Sequence, residues 1–141
     1  MQEIWIIPTN PKYFDVESHL KTSSELVIKR TKMINKGDIA YIYVASPVSQ
    51  IKYKGIVANS ECGEEILSKH PYARAVQNNG PAKYFLVKIE KAFDDNTYNY
   101  SDLKEHGIGQ VQNIARASRQ IKEYFKQVEN KGEIVWSLHI L

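Results

Sequence analysis

Cysteine, histidine and paired carboxylates carry much of enzyme chemistry, and the sequence holds each of them sparsely. Cys62 could act as a nucleophile, although an isolated cysteine is more often an inert, partly buried side chain. Asp94 and Asp95 could form a carboxylate pair, but adjacent turn residues point apart, and turns favour Asp for local hydrogen bonding. The histidines are scattered, without zinc-ligand spacing, as His19, His70, His106 and His139.

No sequence motif of catalysis is present. The chain lacks a glycine-rich phosphate loop and a nucleophile elbow. His106, directly before Gly107, is typical of a charge partner at a helix C-terminus. The sequence therefore predicts no catalytic residue, no metal and no cofactor, and by elimination it favours a binding module.

Positive charge is concentrated in residues 21–54. This segment holds seven Lys or Arg and two acidic residues, a net charge of +5, whereas the whole chain carries +3. A basic segment in an otherwise near-neutral chain indicates an anionic ligand. The alternative is a solvated lysine-rich surface, which is the usual role of a charge run.

The apolar pattern indicates short strands and a few helices. It predicts strands over residues 3–7, 25–29, 38–45, 51–58, 83–93 and 133–140, and helices over 12–20, 64–69, 102–106 and 116–129. Pro8 should end the first strand, and Gly132 should end the last helix. Strand 38–45 is apolar on both faces, as in a covered sheet or a closed barrel. Gly55 indicates a bulge or a sharp bend.

Length and composition are those of one globular domain over residues 1–141. The chain has a mass of 16.2 kDa, with 43% apolar and 25% charged residues. No apolar run approaches the roughly 18 residues of a membrane span, and the N-terminus lacks the pattern of a secretory signal. One cysteine excludes an internal disulfide and fits a reducing compartment. We expect a cytoplasmic α+β domain built on a small curved sheet or barrel.

Four segments together resemble a known family. Residues 4–13 have a strand, a polar turn and a helix start; residues 36–44 have a Lys-Gly-Asp turn and an aromatic strand. Residues 46–54 form a Ser-Pro turn and a strand, and residues 107–113 form a Gly/Gln-rich loop before a basic helix. In this order the segments resemble the EVE domain, a branch of the PUA-like superfamily that also contains YTH and ASCH domains.

The resemblance implies a PUA-like β-barrel of about five or six strands, flanked by two or three helices, whose pocket receives a flipped and often modified nucleobase. The implied partner is nucleic acid, with modified DNA favoured and RNA possible; we expect a monomer that does not bind membranes. Reading a base outside its stack needs a pocket with a flat face and polar groups for the base edge. It also needs basic groups for the flanking phosphates.

The resemblance also assigns site residues. The base-binding residues that it implies are Pro8, Thr9, Asn10, Tyr13, Ile28, Lys29, Ser46, Pro47, Tyr53, Gln110, Gln112 and Asn113. The phosphate-binding residues are Arg30, Lys32, Lys52, Arg116 and Arg119. Ile28 stands where relatives often place a tryptophan, so the pocket would have an apolar wall in place of a stacking ring. Four of the basic residues are expected on one face at the pocket mouth, namely Lys29, Arg30, Arg116 and Arg119.

Other roles remain open for several of these residues. Tyr41, Tyr43 and Tyr53 are more typical of strand packing than of stacking platforms. Arg119 could pair with Glu123, four residues further along the helix.

Two rival functions also remain open. The first is an ASCH-like hydrolase or nuclease acting on nucleic acid or a nucleoside derivative, for which the nearest candidate residues are Glu25, Lys29 and Lys52. The second is a protein–protein interaction module with a basic face. An enzyme of the first kind needs an acid or base inside its pocket, whereas a reader of bases needs none.

Overall fold

A computed structural model describes residues 2–63, 65–66, 83–109 and 111–140, with side chains up to residue 130. In this part of the chain, six strands and three helices are present. Their bounds are β1 (Ile4–Thr9), α1 (Val16–His19), β2 (Glu25–Lys29), β3 (Ile39–Val44), β4 (Gln50–Cys62), β5 (Tyr84–Ala92), α2 (Tyr100–Glu105), β6 (Ala115–Arg116) and α3 (Arg119–Ile140).

The strands form one mixed sheet in the order β2-β5-β4-β3-β1-β6. β1 and β3 run parallel, and the other neighbouring pairs are antiparallel. Among the described residues β2 and β6 are the two edges of the sheet and do not pair with each other. The α+β class and the number of strands and helices are confirmed.

Both faces of the sheet are covered. Trp5, Ile7 and Ile42 belong to a core on the first face, whereas Ile6 and Tyr41 belong to a core on the second face, against α2 and α3. Successive strand residues point to opposite faces, so a strand between two cores must be apolar at every position. The prediction from the two-sided apolar pattern of residues 38–45 is therefore confirmed.

Two predicted elements in the first 20 residues have wrong boundaries. β1 continues through Pro8, whose missing N–H lies on the side of β6, and β6 pairs only with Trp5 and Ile6. The helix predicted over residues 12–20 shortens to α1, because Asp15 caps it by accepting a hydrogen bond from the Ser18 N–H at 3.1 Å.

The predicted closing strand over residues 133–140 is also wrong. α3 continues through Gly132 to Ile140, since a helical glycine costs only about 1 kcal/mol relative to alanine. α3 begins at Arg119, three residues later than predicted, because Arg116 belongs to β6. The helix predicted over residues 64–69 lies mostly outside the described residues. No helix in the described part of the chain is long and apolar enough to cross a membrane.

Glu129 anchors α3 to the sheet. Its carboxylate accepts hydrogen bonds from the Tyr41 hydroxyl at 2.6 Å, the Tyr98 hydroxyl at 2.7 Å and the Lys54 ammonium at 2.8 Å. Burial by itself would raise the pKa of Glu129, but the hydrogen bonds from Lys54, Tyr41 and Tyr98 outweigh burial and hold this pKa below its usual value. Burial, with the hydrogen bond to Glu129, raises the pKa of both phenols.

We expect Glu129→Gln to lower the free energy of unfolding by about 2–4 kcal/mol at neutral pH, because hydrogen bonds to a charged group contribute roughly 1.5–3 kcal/mol each. A lowered folded-state pKa stabilises the fold above the ordinary value of 4.5, and this stabilisation is lost as the pH falls through the folded value. The difference in unfolding free energy between wild type and Glu129→Gln should therefore become smaller below pH 4.5, as measured by denaturant titrations. Glu123→Gln, at an exposed position of α3, is the control. A difference in unfolding free energy that does not depend on pH would contradict the role of the Glu129 carboxylate.

Gly55 marks a close approach between β4 and β5. The β4–β5 register shifts between Lys54 and Gly55, which confirms the predicted bulge. A Cβ at this position would collide with the Lys88 carbonyl oxygen and lie 2.8 Å from Val87 Cγ1.

Gly55→Ala should therefore cost about 1–3 kcal/mol of unfolding free energy, since overpacking forces the two strands apart. Gly109→Ala is the matched control, because a Cβ there meets nothing within 4 Å. Thermal or chemical denaturation of both variants checks the expectation; equal stabilities would contradict it.

Candidate functional site

A cleft opens at the end of the parallel β1–β3 pair. Thr9 pairs with Val44 in register, so the loops that follow the two strands leave the sheet side by side. The Thr9 hydroxyl donates to the Tyr43 carbonyl at 3.0 Å, and the Ala45 N–H donates to the Thr9 carbonyl at 2.8 Å. These bonds hold the two loops together at the base of a cleft of about 920 Å³.

The cleft brings together the base-binding residues predicted from the first two loops and one residue from a later loop. It is lined by Pro8, Thr9, Asn10, Tyr13, Tyr43, Ala45, Ser46, Pro47, Val48, Ser49, Tyr100, Val111 and Gln112. The predicted residues among them are Pro8, Thr9, Asn10, Tyr13, Ser46, Pro47 and Gln112. Gln110 lies outside the described residues.

Local hydrogen bonds shape both loops. In the first loop, Asn10 Oδ1 accepts from the Lys12 N–H at 3.0 Å and the Asn10 carbonyl accepts from the Tyr13 N–H at 3.0 Å. In the second loop, the Val48 N–H donates to the Ala45 carbonyl at 3.2 Å, across a cis Ser46–Pro47 peptide. This is the arrangement of a turn with cis-proline at its third position.

Three tyrosines give the cleft its aromatic surface. Tyr43 is buried beneath it, where burial raises the pKa of its hydroxyl and a hydrogen bond with Ser49 partly offsets the rise. Tyr13 and Tyr100 are 67% and 37% exposed, so both side chains are in part accessible to a ligand. The Lys12 ammonium lies 5.7 Å from the centre of the Tyr13 ring.

Tyr100 is a lining residue that the sequence analysis missed. Asn99 caps α2 by accepting from the Asp102 N–H at 2.9 Å, which places Tyr100 in the first turn of the helix. The Asn96 N–H donates to Gln50 Oε1 at 2.8 Å and ties the preceding turn to β4. The available signal was the Asn cap with a tyrosine on each side.

Several predicted base-binding residues lie elsewhere. Ile28 and Tyr53 are half-buried and pack against the core of the first face. Asn113 lines a neighbouring groove. Lys29 ends β2 at the end of the sheet where β1 and β3 begin, opposite to the cleft.

The predicted single basic face has to be corrected. Arg30 also lies at the far end of β2, where it donates to Glu61 at 3.0 Å and to the Ile34 carbonyl at 3.2 Å. Acidic residues from later in the chain therefore compensate part of the basic segment. Lys32 and Arg119 are exposed, and neither lines the cleft.

Lys52 is similarly engaged by a later acid. Its ammonium forms an ion pair with Asp95, and the Lys52 side chain is 10% exposed. This contact gives one member of the Asp94–Asp95 pair a structural role. Cys62 is buried, and burial raises the pKa of its thiol, which makes the thiolate nucleophile less available.

The structure does not assemble the candidate residues of the hydrolase alternative. Glu25 and Lys29 are the two ends of β2, about 13 Å apart along the strand, and Lys52 is paired with Asp95. The described residues lining the cleft include no Asp, Glu, His, Lys or Arg. The described residues also hold no group of three or more His, Cys, Asp or Glu arranged for a metal ion.

No protein-family model and no curated protein matches the sequence. The fold is similar to that of ASCH from Zymomonas mobilis, with a TM-score of 0.62 and 11% identity over 89% of this chain and 94% of that one. It is also similar to a hypothetical protein from Leishmania major, with a TM-score of 0.65 and 14% identity over 94% and 98% of the two chains. The chain therefore shares the fold of these proteins, and the likenesses do not single out the EVE branch.

The position of Ile28 leads to a direct test of the predicted pocket wall. We expect Ile28→Trp to overpack the first-face core and lower the unfolding free energy by about 1–3 kcal/mol, without tightening ligand binding. Ile28→Val is the control, because it changes the same position without adding volume to the core. A tryptophan variant that keeps its stability and binds nucleic acid more tightly would return this position to the binding surface.

Proposed function

We propose that the chain is a nucleic-acid-binding module whose cleft holds a nucleobase taken out of its stack. The observation that carries the proposal is the pair of exposed tyrosines, Tyr13 and Tyr100, at a cleft with amide and hydroxyl groups. Stacking on aromatic rings is the general means by which proteins hold unstacked bases.

The polar groups of the lining suit a base edge. Asn10 and Gln112 carry amides, which both donate and accept hydrogen bonds, and Thr9, Ser46 and Ser49 carry hydroxyls. A nucleobase edge is polar but uncharged, so neutral partners match it without the desolvation cost of a buried charge. The absence of carboxylate, lysine and histidine from the described lining supports binding over the hydrolase alternative.

The fold and the sequence motifs support the same ligand class. The PUA-like fold agrees with the fold that the EVE resemblance implies, and through that resemblance a modified base in DNA is the favoured ligand. Lys12, beside Tyr13, supplies a cation for a flanking phosphate. RNA and unmodified DNA are the comparison ligands.

The test is binding of single-stranded DNA and RNA oligonucleotides, with and without base modifications, at fixed salt. Tyr13→Ala and Tyr100→Ala should each weaken binding by about 1–3 kcal/mol, the usual contribution of one base–aromatic stack. Met33→Ala is the control, because Met33 is 71% exposed but does not line the cleft.

Salt dependence separates the proposal from the protein–protein alternative. Phosphate contacts release counterions, so the affinity for nucleic acid should fall as salt is raised. Failure of every oligonucleotide to bind, or binding that neither tyrosine variant weakens, would contradict the proposal. Equal affinity for modified and unmodified bases would contradict only the preference for a modified ligand.

A further inference from the structure

A second groove continues from the cleft. It has a volume of about 340 Å³ and shares Val111 and Gln112 with the cleft, so one surface connects the two. Ile6, Ile108 and Ile121, all buried, contribute apolar atoms to it. The neutral amides of Gln112 and Asn113, both exposed, supply polar groups along the groove.

Arg116 lines the groove at the edge strand β6, and its guanidinium lies on the other face of the sheet, over Trp5. Its side chain is 59% exposed, and its Cζ lies 5.2 Å from the centre of the Trp5 ring. Trp5 is itself fixed, because its Nε1–H donates to Asp38 at 2.9 Å. The guanidinium thus rests on a rigid aromatic platform, an arrangement typical of arginines preorganised for an anion.

Glu3 is the acidic neighbour of this guanidinium. Its carboxylate lies 3.7 Å from Arg116 Nε, longer than a hydrogen bond, and an exposed pair of this kind is weak. A phosphate, which accepts two parallel hydrogen bonds from a guanidinium, makes the stronger contact.

Distance indicates the length of the ligand. Arg116 pairs with Trp5, four residues before Thr9 on β1, so the arginine lies roughly 13 Å from the cleft along the strand. The rise of one nucleotide in a stacked strand is about 3.4 Å, so a single nucleotide in the cleft does not reach Arg116.

We propose that the groove is a second subsite for the same ligand. The ligand is a single strand that places one base in the cleft, passes over Gln112 and lays a following nucleotide in the groove. It then crosses the edge strand β6 and sets a phosphate against Arg116 on the other face of the sheet. This inference rests on the proposed function and adds the length, the single-stranded form and the path of the ligand.

The experiment measures the affinities of mono-, di-, tri- and tetranucleotides, in DNA and RNA form, at fixed salt. For the wild type, affinity should rise about tenfold or more between the mononucleotide and the longest oligonucleotide. In Arg116→Ala this gain should disappear while the mononucleotide affinity is unchanged, and the salt slope should fall by about 1. Arg116→Lys keeps the charge without the planar fork and should recover part of the gain.

Controls separate the subsite from a general effect of charge or folding. Lys88→Ala removes an exposed cation on β5 and should leave the length dependence intact. Thermal unfolding shows whether Arg116→Ala destabilises the packing of Trp5. If it does, the test compares the dependence of affinity on ligand length in Arg116→Lys with that in the wild type.

The two proposals fail in different ways. Affinity that does not increase with length, or an increase that Arg116→Ala retains, would overturn the second subsite and leave base binding in the cleft intact. Loss of mononucleotide binding in Tyr100→Ala, together with loss of only the length-dependent gain in Arg116→Ala, would support both. If no nucleotide of any length binds the wild type, both proposals are wrong.

Discussion

The parallel pairing of β1 and β3 is the constraint on which the rest of the molecule depends, and Asp38 fixes it at its start. The buried carboxylate accepts hydrogen bonds from the Glu3 N–H at 3.1 Å, the Trp5 indole at 2.9 Å and the Asn35 N–H at 3.0 Å. A buried charge is tolerated only when it is satisfied in this way, so these bonds specify one arrangement of the two strands. The register is kept for six residues, and at its far end the loops of the cleft meet.

The two cores make this pairing rigid. Because β3 is buried on both faces, it cannot slip by one residue without exchanging its two sets of side chains between different cores. On the second face, Glu129 joins α3 to Tyr41 of β3 and to Tyr98, directly before α2. The same packing that stabilises the fold thereby holds the first turn of α2, and with it Tyr100, at the cleft.

The described residues that line the cleft are uncharged, and the charged side chains lie around it. Lys52 pairs with Asp95, and Lys54 pairs with Glu129. The net charge of the chain counts these lysines as free to bind a phosphate, although each already has an acidic partner. Arg116 differs from them because its nearest carboxylate is 3.7 Å away and its other neighbour is an aromatic ring. Under the proposed function, the affinity for nucleic acid would depend more on a few positioned cations and on base stacking than on the overall charge of +3.

What the sequence by itself determined is local. Apolar runs and apolar alternation located β2 to β5, and Gly55 indicated the bulge. The turns at Pro8–Asn10 and Ser46–Pro47 named cleft residues. Each of these signals lies within a few neighbouring positions. Only the tertiary structure decided that Tyr100 joins the cleft, that Ile28 packs in the core, and that the lysines of the basic segment meet acids 43 and 75 residues away. Those outcomes depend on strand order and on helix docking. Both follow from the burial of two apolar faces at once, a cooperative effect that no single segment of the chain encodes.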